Sequence, residues 1–356
     1  MSSNIRVLNV SETCKGGIET FMDSIHKSKE VDNFFLLPEY KESILNFNKR
    51  SSRTFTVLHL FFLIFFKLKP SDYDLIYLHS TFAGLLRFVL YPLSFFYGYK
   101  VAYCSHGWSW NMTNKRLVVR RLYVFIEYVL AWFSHMVICI SSPDFNSAKK
   151  YHIKNAILIQ NGVRKSSVNL SQKPEFSFKF LFVGRLDYQK GLDKLINTLN
   201  ELSLAHKITL TVIGERVSCG VSGEYNLPES TNKNVELIFV GWIENEFLDS
   251  FYFNNDITII PSRYEGFGLV AVESLRNGTP VIASNKGALP TIINDSVGWI
   301  YDIDSSAELD SVLSSLNDNS VRIRSDKCRE YFERYFDEKV MNDKYAVNFN
   351  SLCGKS

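Results

Sequence analysis

No two cysteines of this chain form a Cys-x-x-Cys pair, although its 356 residues include six of them. Their scatter argues against a structural zinc site or a disulfide framework and fits a reducing compartment. No apolar run follows a basic patch near the N-terminus, so we expect no signal peptide. We therefore expect a cytoplasmic protein.

Long uncharged apolar runs are also missing. Residues 57–66 (VLHLFFLIFF) form a short run that contains His59, and residues 117–140 carry two arginines and a glutamate. A membrane-spanning helix needs about 20 mainly apolar residues with few or no charges. We therefore expect both segments to be soluble or interfacial.

The charge is small overall but unevenly distributed. The net charge is +3, while residues 1–160 hold 19 basic and 11 acidic residues and the remainder holds 21 and 26. A basic, aromatic-rich first half beside an acidic second half indicates a difference in function between the two.

Short apolar strand patterns alternate with helical stretches on both sides of a polar segment. This alternation predicts parallel α/β sheets, and a length of 356 residues suggests two domains. We predict a first domain at 1–163, a linker at 164–177, a second domain at 178–335 and a helical tail at 336–356 that packs back on the first domain. The predicted strands are IRVLNV, DLIYLHS, KVAYCS, HMVICIS, AILIQNGV, KFLFVG, KITLTVIG, VELIFVG, ITIIPS, PVIAS and VGWIY.

Two cations follow the first strand of the second half. In FVGRLDYQKG, Arg185 comes just after the strand and Lys190 lies at the next helix start, with Gly184 and Gly191 nearby. Free N–H groups and the helix dipole add to such side-chain charges, so the pattern favours a phosphate site. A solvated charged turn is the alternative.

The segment YEGFGLVAVESLRNGTP places Glu265 before a predicted helix and Glu273 within it. Gly266 and Gly268 allow a ligand to approach the backbone closely. At 1.5 Å per residue the carboxylates lie on the order of 10 Å apart along the axis, too far for a glycosidase acid and nucleophile. The spacing suits two ends of a nucleotide sugar. Alternatively, Glu265 caps the helix and Glu273 pairs with a surface cation.

FVGRLDYQKG followed by PSRYEGFGLVAVESLRNGTPVIAS resembles the C-terminal half of a GT-B glycosyltransferase of the large retaining family numbered four. KGGIE at 15–19 resembles the N-terminal Gly-Gly loop of that family, and CSHGW at 104–108 resembles its His-containing element. The resemblance covers essentially the whole chain. It implies two Rossmann-like, doubly wound domains facing a cleft, with the acceptor in the first and the nucleotide sugar in the second.

The resemblance also implies roles for the matching residues. Glu265 would lie at the donor sugar hydroxyls and Glu273 at the ribose, while Arg185 and Lys190 would neutralise the leaving diphosphate. His106 would lie near the donor sugar, with a buried structural histidine as the alternative. The other implied nucleotide-sugar-binding residues are Gly16, Gly17, Gly184, Gly266, Phe267, Gly268 and Leu269.

The implied reaction is retaining transfer of a hexose from an NDP-sugar, most simply UDP-linked, to a hydroxyl of a growing glycan. We expect a bacterial surface polysaccharide such as O-antigen as the product, with its acceptor on a polyprenyl diphosphate carrier. No Asp-x-Asp motif ends a strand, since Asp302 and Asp304 fall in an expected turn, so we expect neither a metal nor another cofactor. The alternatives are a non-catalytic sugar-nucleotide-binding homologue and a related GT-B-fold epimerase.

The basic first half favours one further partner. Cations interleaved with aromatic residues predict contact with anionic lipid, on the inner face of the cytoplasmic membrane. The alternative is a buried helical face with solvated basic flanks. No nucleic-acid-binding module is recognisable, so we expect no nucleic acid partner. The cations concerned are Lys67, Lys69, Arg87, Lys115, Arg116, Arg120 and Arg121.

Overall fold

The structure is a computed structural model that describes residues 4–14, 17–45, 47, 52–111, 116–166, 173–216 and 226–355. The chain divides into two compact units, Met1–Arg164 with Glu338–Ser356, and Lys165–Asp337. Of the predicted linker, residues 167–172 lie outside the described residues.

The first unit is built on a parallel sheet of six strands. They are β1 (Ile5–Ser11), β2 (Val31–Leu36), β3 (Leu75–His79), β4 (Lys100–Cys104), β5 (Met136–Cys139) and β6 (Ala156–Leu158). The order across the sheet is β2-β1-β3-β4-β5-β6, so the chain reverses its direction of winding between β1 and β3. The interior strand β3 is buried along its whole length, as expected for a parallel sheet covered on both faces.

Among the described residues, six α-helices flank this sheet, together with three short 3₁₀ turns at Pro70–Asp72, Ala83–Leu86 and Ser109–Asn111. The helices are α1 (Gly17–His26), α2 (Arg53–Phe66), α3 (Arg87–Tyr97), α4 (Leu117–Ala131), α5 (Ser142–Lys150) and, from the C-terminal segment, α12 (Glu338–Cys353).

The second unit contains another parallel six-stranded sheet. Its strands are β7 (Lys179–Val183), β8 (Ile208–Ile213), β9 (Val235–Gly241), β10 (Ile257–Ile260), β11 (Val281–Ser284) and β12 (Gly298–Tyr301). The order is β12-β11-β10-β7-β8-β9, the doubly wound order in which β7 and β10 lie side by side. Its helices are α6 (Leu192–Glu201), α7 (Asn245–Asn254), α8 (Leu269–Arg276), α9 (Leu289–Ile292), α10 (Ser306–Ser315) and α11 (Asp318–Tyr335). The two doubly wound sheets confirm the predicted fold class.

Helix α12 packs within the first unit, against α1 and β1. The Tyr345 hydroxyl lies 3.1 Å from that of Tyr77 on β3, and Asn342 donates to the carbonyl of Ser24 at 3.2 Å. The Glu338 N–H also donates to the Val163 carbonyl at 3.0 Å. These contacts attach the end of the chain to the unit in which it begins.

Helices α2, α3 and α4 cover one face of the first sheet, because their inward residues join the strands in a single apolar cluster. Their outward faces remain apolar. The side chains of Phe66, Phe96 and Phe125 are 70 %, 84 % and 63 % exposed. Among the described helices, none is both long and apolar enough to cross a membrane.

The prediction that Arg87 belongs to the basic surface is wrong. Arg87 is fully buried and its Nη2 lies 2.5 Å from the carboxylate of Glu127 on α4. Its Nε donates to the Gly84 carbonyl at 2.7 Å, and its guanidinium lies 3.6 Å from the ring centre of Tyr103. The carboxylate on the neighbouring helix gives the guanidinium a buried partner. Lys115, from the same predicted surface, lies outside the described residues.

Candidate active site

The predicted site of the second unit lies where its sheet changes winding direction. From β7 the chain proceeds to β8 and β9 on one side, and β10 returns to the other side of β7. The loops that follow β7 and β10 therefore diverge from neighbouring strand ends, where doubly wound sheets bind ligands. Arg185 and Lys190 lie after β7, and Glu265 lies after β10.

Hydrogen bonds join these two loops directly. The Arg263 N–H donates to the Gln189 carbonyl at 2.8 Å, and the Gln189 side chain donates to the Tyr264 carbonyl at 3.1 Å. The Arg263 guanidinium makes two bonds of 2.7 Å to the carboxylate of Asp193. A bidentate pair of this kind fixes both distance and orientation. The relative position of Lys190 and Glu265 is therefore set by several bonds.

Lys190 and Glu265 form an ion pair at the centre of the site. The Lys190 Nζ lies 2.6 Å from Glu265 Oε1, and the Ser262 hydroxyl donates to the same oxygen at 2.7 Å. Both charged side chains are largely buried, at 17 % and 10 % exposure. No described residue donates a hydrogen bond to Glu265 Oε2. One carboxylate oxygen is thus held by the protein and the other is available to a ligand.

Two glycines let the backbone close around this pair. Gly191 has φ of +72°, and a Cβ there would lie 1.9 Å from the Pro261 carbonyl oxygen. Gly287 has φ of +62°, and its Cβ would lie 2.2 Å from the carbonyl oxygen of Glu265. Neither position accepts a side chain without backbone movement. The two glycines therefore allow the close packing that positions Glu265.

Arg185 remains half-exposed at the edge of the same site. Its Nη2 lies 3.0 Å from Asp187 Oδ2, and its side chain is 49 % exposed. The other oxygen of Asp187 accepts the backbone N–H of Lys190 at 3.1 Å. Gly184 precedes Arg185 and lies under the Lys190 side chain. Because half of the Arg185 side chain is exposed, an incoming anion can reach its guanidinium.

The start of helix α8 adds a second source of positive potential. Gly268 precedes the helix with φ of +98°, and no side chain caps this end. Gly266 and Leu269 are partly exposed, while Phe267 is buried. Uncapped N–H groups and the helix dipole attract anions. The alternative in which Glu265 caps this helix is therefore wrong, because its carboxylate pairs with Lys190.

Glu273 lies inside α8 and is partly buried. Its Oε2 accepts the Tyr252 hydroxyl at 2.9 Å. Burial raises the pKa of the Glu273 carboxyl above its ordinary value. The alternative in which Glu273 pairs with a surface cation is not observed, since the nearby Arg276 pairs with Asp249 at 2.5 Å. No described residue donates to Glu273 Oε1, so each glutamate offers one oxygen.

The remaining predicted site residues belong to the first unit. Gly17 begins α1, while Gly16 lies outside the described residues. His106 follows β4 with φ of +54°, and its Nε2 lies 2.9 Å from Nδ1 of His79 at the end of β3. Burial lowers the pKa of His106 to about 4, so the ring is neutral at physiological pH. The residue as a whole is partly exposed.

Residues 164–335 match the family model described as Glycosyl transferases group 1. The match spans the strands and helices that carry Arg185, Lys190, Glu265 and Glu273.

This segment is a glycosyl transferases group 1 domain.

Two curated relatives extend the comparison beyond the group 1 domain. A protein of Klebsiella pneumoniae described as an uncharacterized 41.2 kDa protein in the cps region is 29 % identical, over 98 % of this chain and 100 % of its own. The O-antigen biosynthesis glycosyltransferase WclY of Escherichia coli is 27 % identical over 62 % of both chains. Similarity to a protein named as a glycosyltransferase therefore extends over 62 % of the chain.

A solved structure shares the fold of the whole chain. Anabaena HepE, in complex with UDP, superposes with a TM-score of 0.73 at 18 % identity, covering 98 % of this chain and 100 % of its own. This similarity confirms the GT-B fold of the group 1 domain and its partner unit.

Sequence reasoning missed three polar residues of the first unit. Asn9, Glu12 and His79 are fully buried in or just after β1 and β3, the strands where that sheet reverses its winding. Glu12 accepts the hydroxyl of Ser80 and the N–H of Ala83, the latter at 3.2 Å. Polar residues that follow parallel strands are candidates for ligand binding, and this rule would have found Glu12 but not His79, which is the last residue of β3 itself.

Proposed function

We propose that this chain is a retaining, metal-independent glycosyltransferase that moves a hexose from a UDP-sugar to a hydroxyl of a growing surface glycan on a lipid carrier. The observation that carries the proposal is the ion pair of Lys190 and Glu265 at the switch point, beside the uncapped start of α8. The relatives named for a cps region and for O-antigen biosynthesis support the choice of acceptor. The neighbour solved with UDP supports the choice of base.

The charges of the site suit a nucleotide sugar. Arg185 and the α8 N-terminus supply positive potential for a diphosphate. The free oxygens of Glu265 and Glu273 are acceptors for hydroxyls at its two sides, the sugar and the ribose. Lys190 neutralises Glu265, which would otherwise repel the diphosphate. The arrangement thus binds an anion and hydroxyl groups together.

The proposed chemistry proceeds on one face of the sugar. The bond between the anomeric carbon and the diphosphate oxygen breaks, and a bond to the acceptor oxygen forms on the same side. The acceptor proton passes to the leaving phosphate, so no protein nucleophile is required. Arg185, Lys190 and the helix N-terminus stabilise the negative charge that develops on the leaving diphosphate. The proposed reaction needs no metal ion, because these groups supply the positive charge that a metal would otherwise bring to the diphosphate.

Ligand-induced thermal stabilisation tests the donor site. We expect UDP and a UDP-sugar, but not GDP or ADP, to raise the melting temperature, with no dependence on Mg²⁺. A ligand at 100 times its Kd stabilises by about 2.7 kcal/mol. Glu273→Gln should reduce the shift by weakening the ribose contact, whereas Glu236→Gln is the matched control, since Glu236 pairs with Lys207 on the surface of β9. A shift that required Mg²⁺ would overturn metal-independence, and no shift with any nucleotide would overturn the donor site.

Product analysis separates the rival functions. An epimerase of related fold would convert or release the sugar without an acceptor, and a non-catalytic homologue would bind the nucleotide without turnover. The transferase requires both nucleotide release and growth of a glycan. Retained motif residues favour catalysis, because Arg185, Lys190 and Glu265 are all present in the described site.

We further propose that α2, α3 and α4 rest on the inner face of the cytoplasmic membrane. Their outward faces expose many large apolar side chains, and groups of exposed apolar residues mark interaction surfaces. Aromatic residues dominate it, as in proteins that lie at the lipid interface. The most exposed aromatic side chains are Phe55, Phe66, Phe88, Phe95, Phe96 and Phe125.

The exposed charges on the helices of this apolar surface have one sign. Helices α2 and α3 contain no carboxylate, and Glu127, the acidic residue of α4, is buried against Arg87. Exposed cations follow α2 and begin α4, at Lys67, Lys69 and Arg116. An apolar face bordered by cations is complementary to anionic lipid, and each cation near such a surface contributes about 1 kcal/mol.

Vesicle binding tests this surface. We expect salt-sensitive binding to phosphatidylserine-containing vesicles, weakened at least tenfold by Phe96→Asp, which corresponds to about 1.4 kcal/mol. Val347→Asp is the matched control, because Val347 is 68 % exposed on α12, which packs on α1 instead. Equal binding of both variants, or binding to neutral vesicles only, would contradict the proposed surface.

A further inference from the structure

A chain of hydrogen bonds runs through the first sheet and ends at His106. It begins at Asn33 on β2, whose side-chain nitrogen donates to the carbonyls of Ile25 and Val31 at 3.0 and 3.3 Å. Because a carbonyl can only accept, the amide of Asn33 has one orientation, and its Oδ1 faces Asn9 at 3.0 Å.

The orientation of Asn9 follows in the same way. Its Nδ2 donates to Asn33 Oδ1 and also to the Phe34 carbonyl, at 3.3 Å. Its Oδ1 lies 3.1 Å from Nε2 of His79. An amide oxygen accepts only, so His79 must carry its proton on Nε2. Burial lowers the pKa of His79 far below its ordinary value, so its Nδ1 is unprotonated.

The tautomer of His79 determines that of His106. The bare Nδ1 of His79 lies 2.9 Å from Nε2 of His106, which therefore donates. No described residue bonds to Nδ1 of His106, and this atom is bare in the neutral ring. Phe21 packs against both imidazoles, with ring centres 5.5 and 5.0 Å away, and limits their rotation.

We propose that Asn9 and His79 are positioning residues that hold His106 as the neutral tautomer protonated on Nε2, so that its Nδ1 accepts a hydrogen bond from a substrate hydroxyl. His106 then cannot donate to a phosphate oxygen or a carbonyl, and it selects a ligand group that carries a proton. The assignment of that hydroxyl to a sugar rests on the proposed function, whereas the tautomer does not.

Nitrogen NMR of protein labelled at its seven histidines tests the tautomer without a ligand. We expect His106 to show an N–H resonance for Nε2 and a bare-nitrogen resonance for Nδ1, with His106→Gln identifying the signals. His135 is an internal reference, because its Nδ1 accepts the Val101 N–H at 3.1 Å. A proton on Nδ1 of His106 in the unaltered protein would overturn the proposal, whichever variants fold.

Variants test the role of His79. We expect His79→Phe to leave His106 exchanging between two tautomers, so that its two nitrogen resonances move toward each other. Tyr77→Phe is the matched control, since the Tyr77 ring lies 4.0 Å from that of His79 without joining the chain of hydrogen bonds. Unchanged His106 resonances in His79→Phe would show that the tautomer has another cause.

Titration with UDP-glucose and UDP tests the hydroxyl. We expect UDP-glucose, but not UDP, to shift the bare Nδ1 resonance of His106. Binding of UDP-glucose without that shift would overturn the hydroxyl contact. Failure of both compounds to bind would instead count against the proposed donor, while the ligand-free spectra would still decide the tautomer.

Discussion

Replacing Lys190 with alanine is expected to lower the turnover of glycosyl transfer by about 10²- to 10³-fold, the usual effect of removing one donor to a developing anion. Two consequences of the change act together. In the proposed reaction the leaving diphosphate loses a nearby cation, and the Glu265 carboxylate loses the Nζ that lies 2.6 Å away. An unpaired, largely buried carboxylate then repels the diphosphate as its charge grows.

The measurement is release of nucleoside diphosphate from the donor that the melting assay identifies. Lys194→Ala is the matched control, because Lys194 lies on α6 of the same unit and pairs loosely with Asp304, at 3.8 Å. Turnover of Lys194→Ala should remain within about twofold, since exposed pairs contribute little. Near-wild-type turnover in Lys190→Ala, with the protein still folded, would refute the assignment of this site.

Replacing Glu127 with leucine is expected to lower the free energy of unfolding of the first unit by about 3–5 kcal/mol. The change leaves Arg87 charged and fully buried, without the carboxylate 2.5 Å from its Nη2. The Tyr103 hydroxyl, which donates to Glu127 Oε1 at 2.8 Å, loses its acceptor as well. Two buried polar groups are thus left without their partner.

The double variant Arg87→Leu with Glu127→Leu separates the effect of the broken ion pair on stability from the effect of altered packing. Because removal of a whole buried pair is far less costly than removal of one partner, it should recover most of the lost stability. Denaturant unfolding followed by tryptophan fluorescence measures both, since Trp108 and Trp110 are buried in the same core. A double variant as unstable as Glu127→Leu would show that packing dominates at this position.

The strands of both sheets were predictable because buried parallel strands are short, continuous apolar runs. Strand β10, with ITII buried at every position, is an example. Strand β2 was missed because Asp32 and Asn33 interrupt its pattern. It tolerates these polar residues because it lies at the edge of the sheet, beside β1.

The site was predictable only as a set of positions. Residues that follow strands of a parallel sheet gather at one edge, and Arg185, Lys190 and Glu265 all follow such strands. Their pairing was not predictable, because Lys190 and Glu265 are 75 residues apart in the chain and meet through tertiary structure. The burial of Arg87 was hidden for the same reason, since its partner lies 40 residues away. Charge patterns reveal which residues are ionised but not which ones meet.

The return of α12 makes the second unit an insertion into the first. The chain leaves the first unit after Arg164 and re-enters it at Glu338, whose N–H bonds to the Val163 carbonyl at 3.0 Å. The limits of the second unit also meet, with Lys165 Nζ 3.6 Å from Asp337 Oδ2. Adjacent ends are the condition under which domain insertion and circular permutation are tolerated. A direct peptide link from Val163 to Glu338 would make the first unit one continuous chain. The group 1 domain would then be a separate domain that can be removed from the first unit.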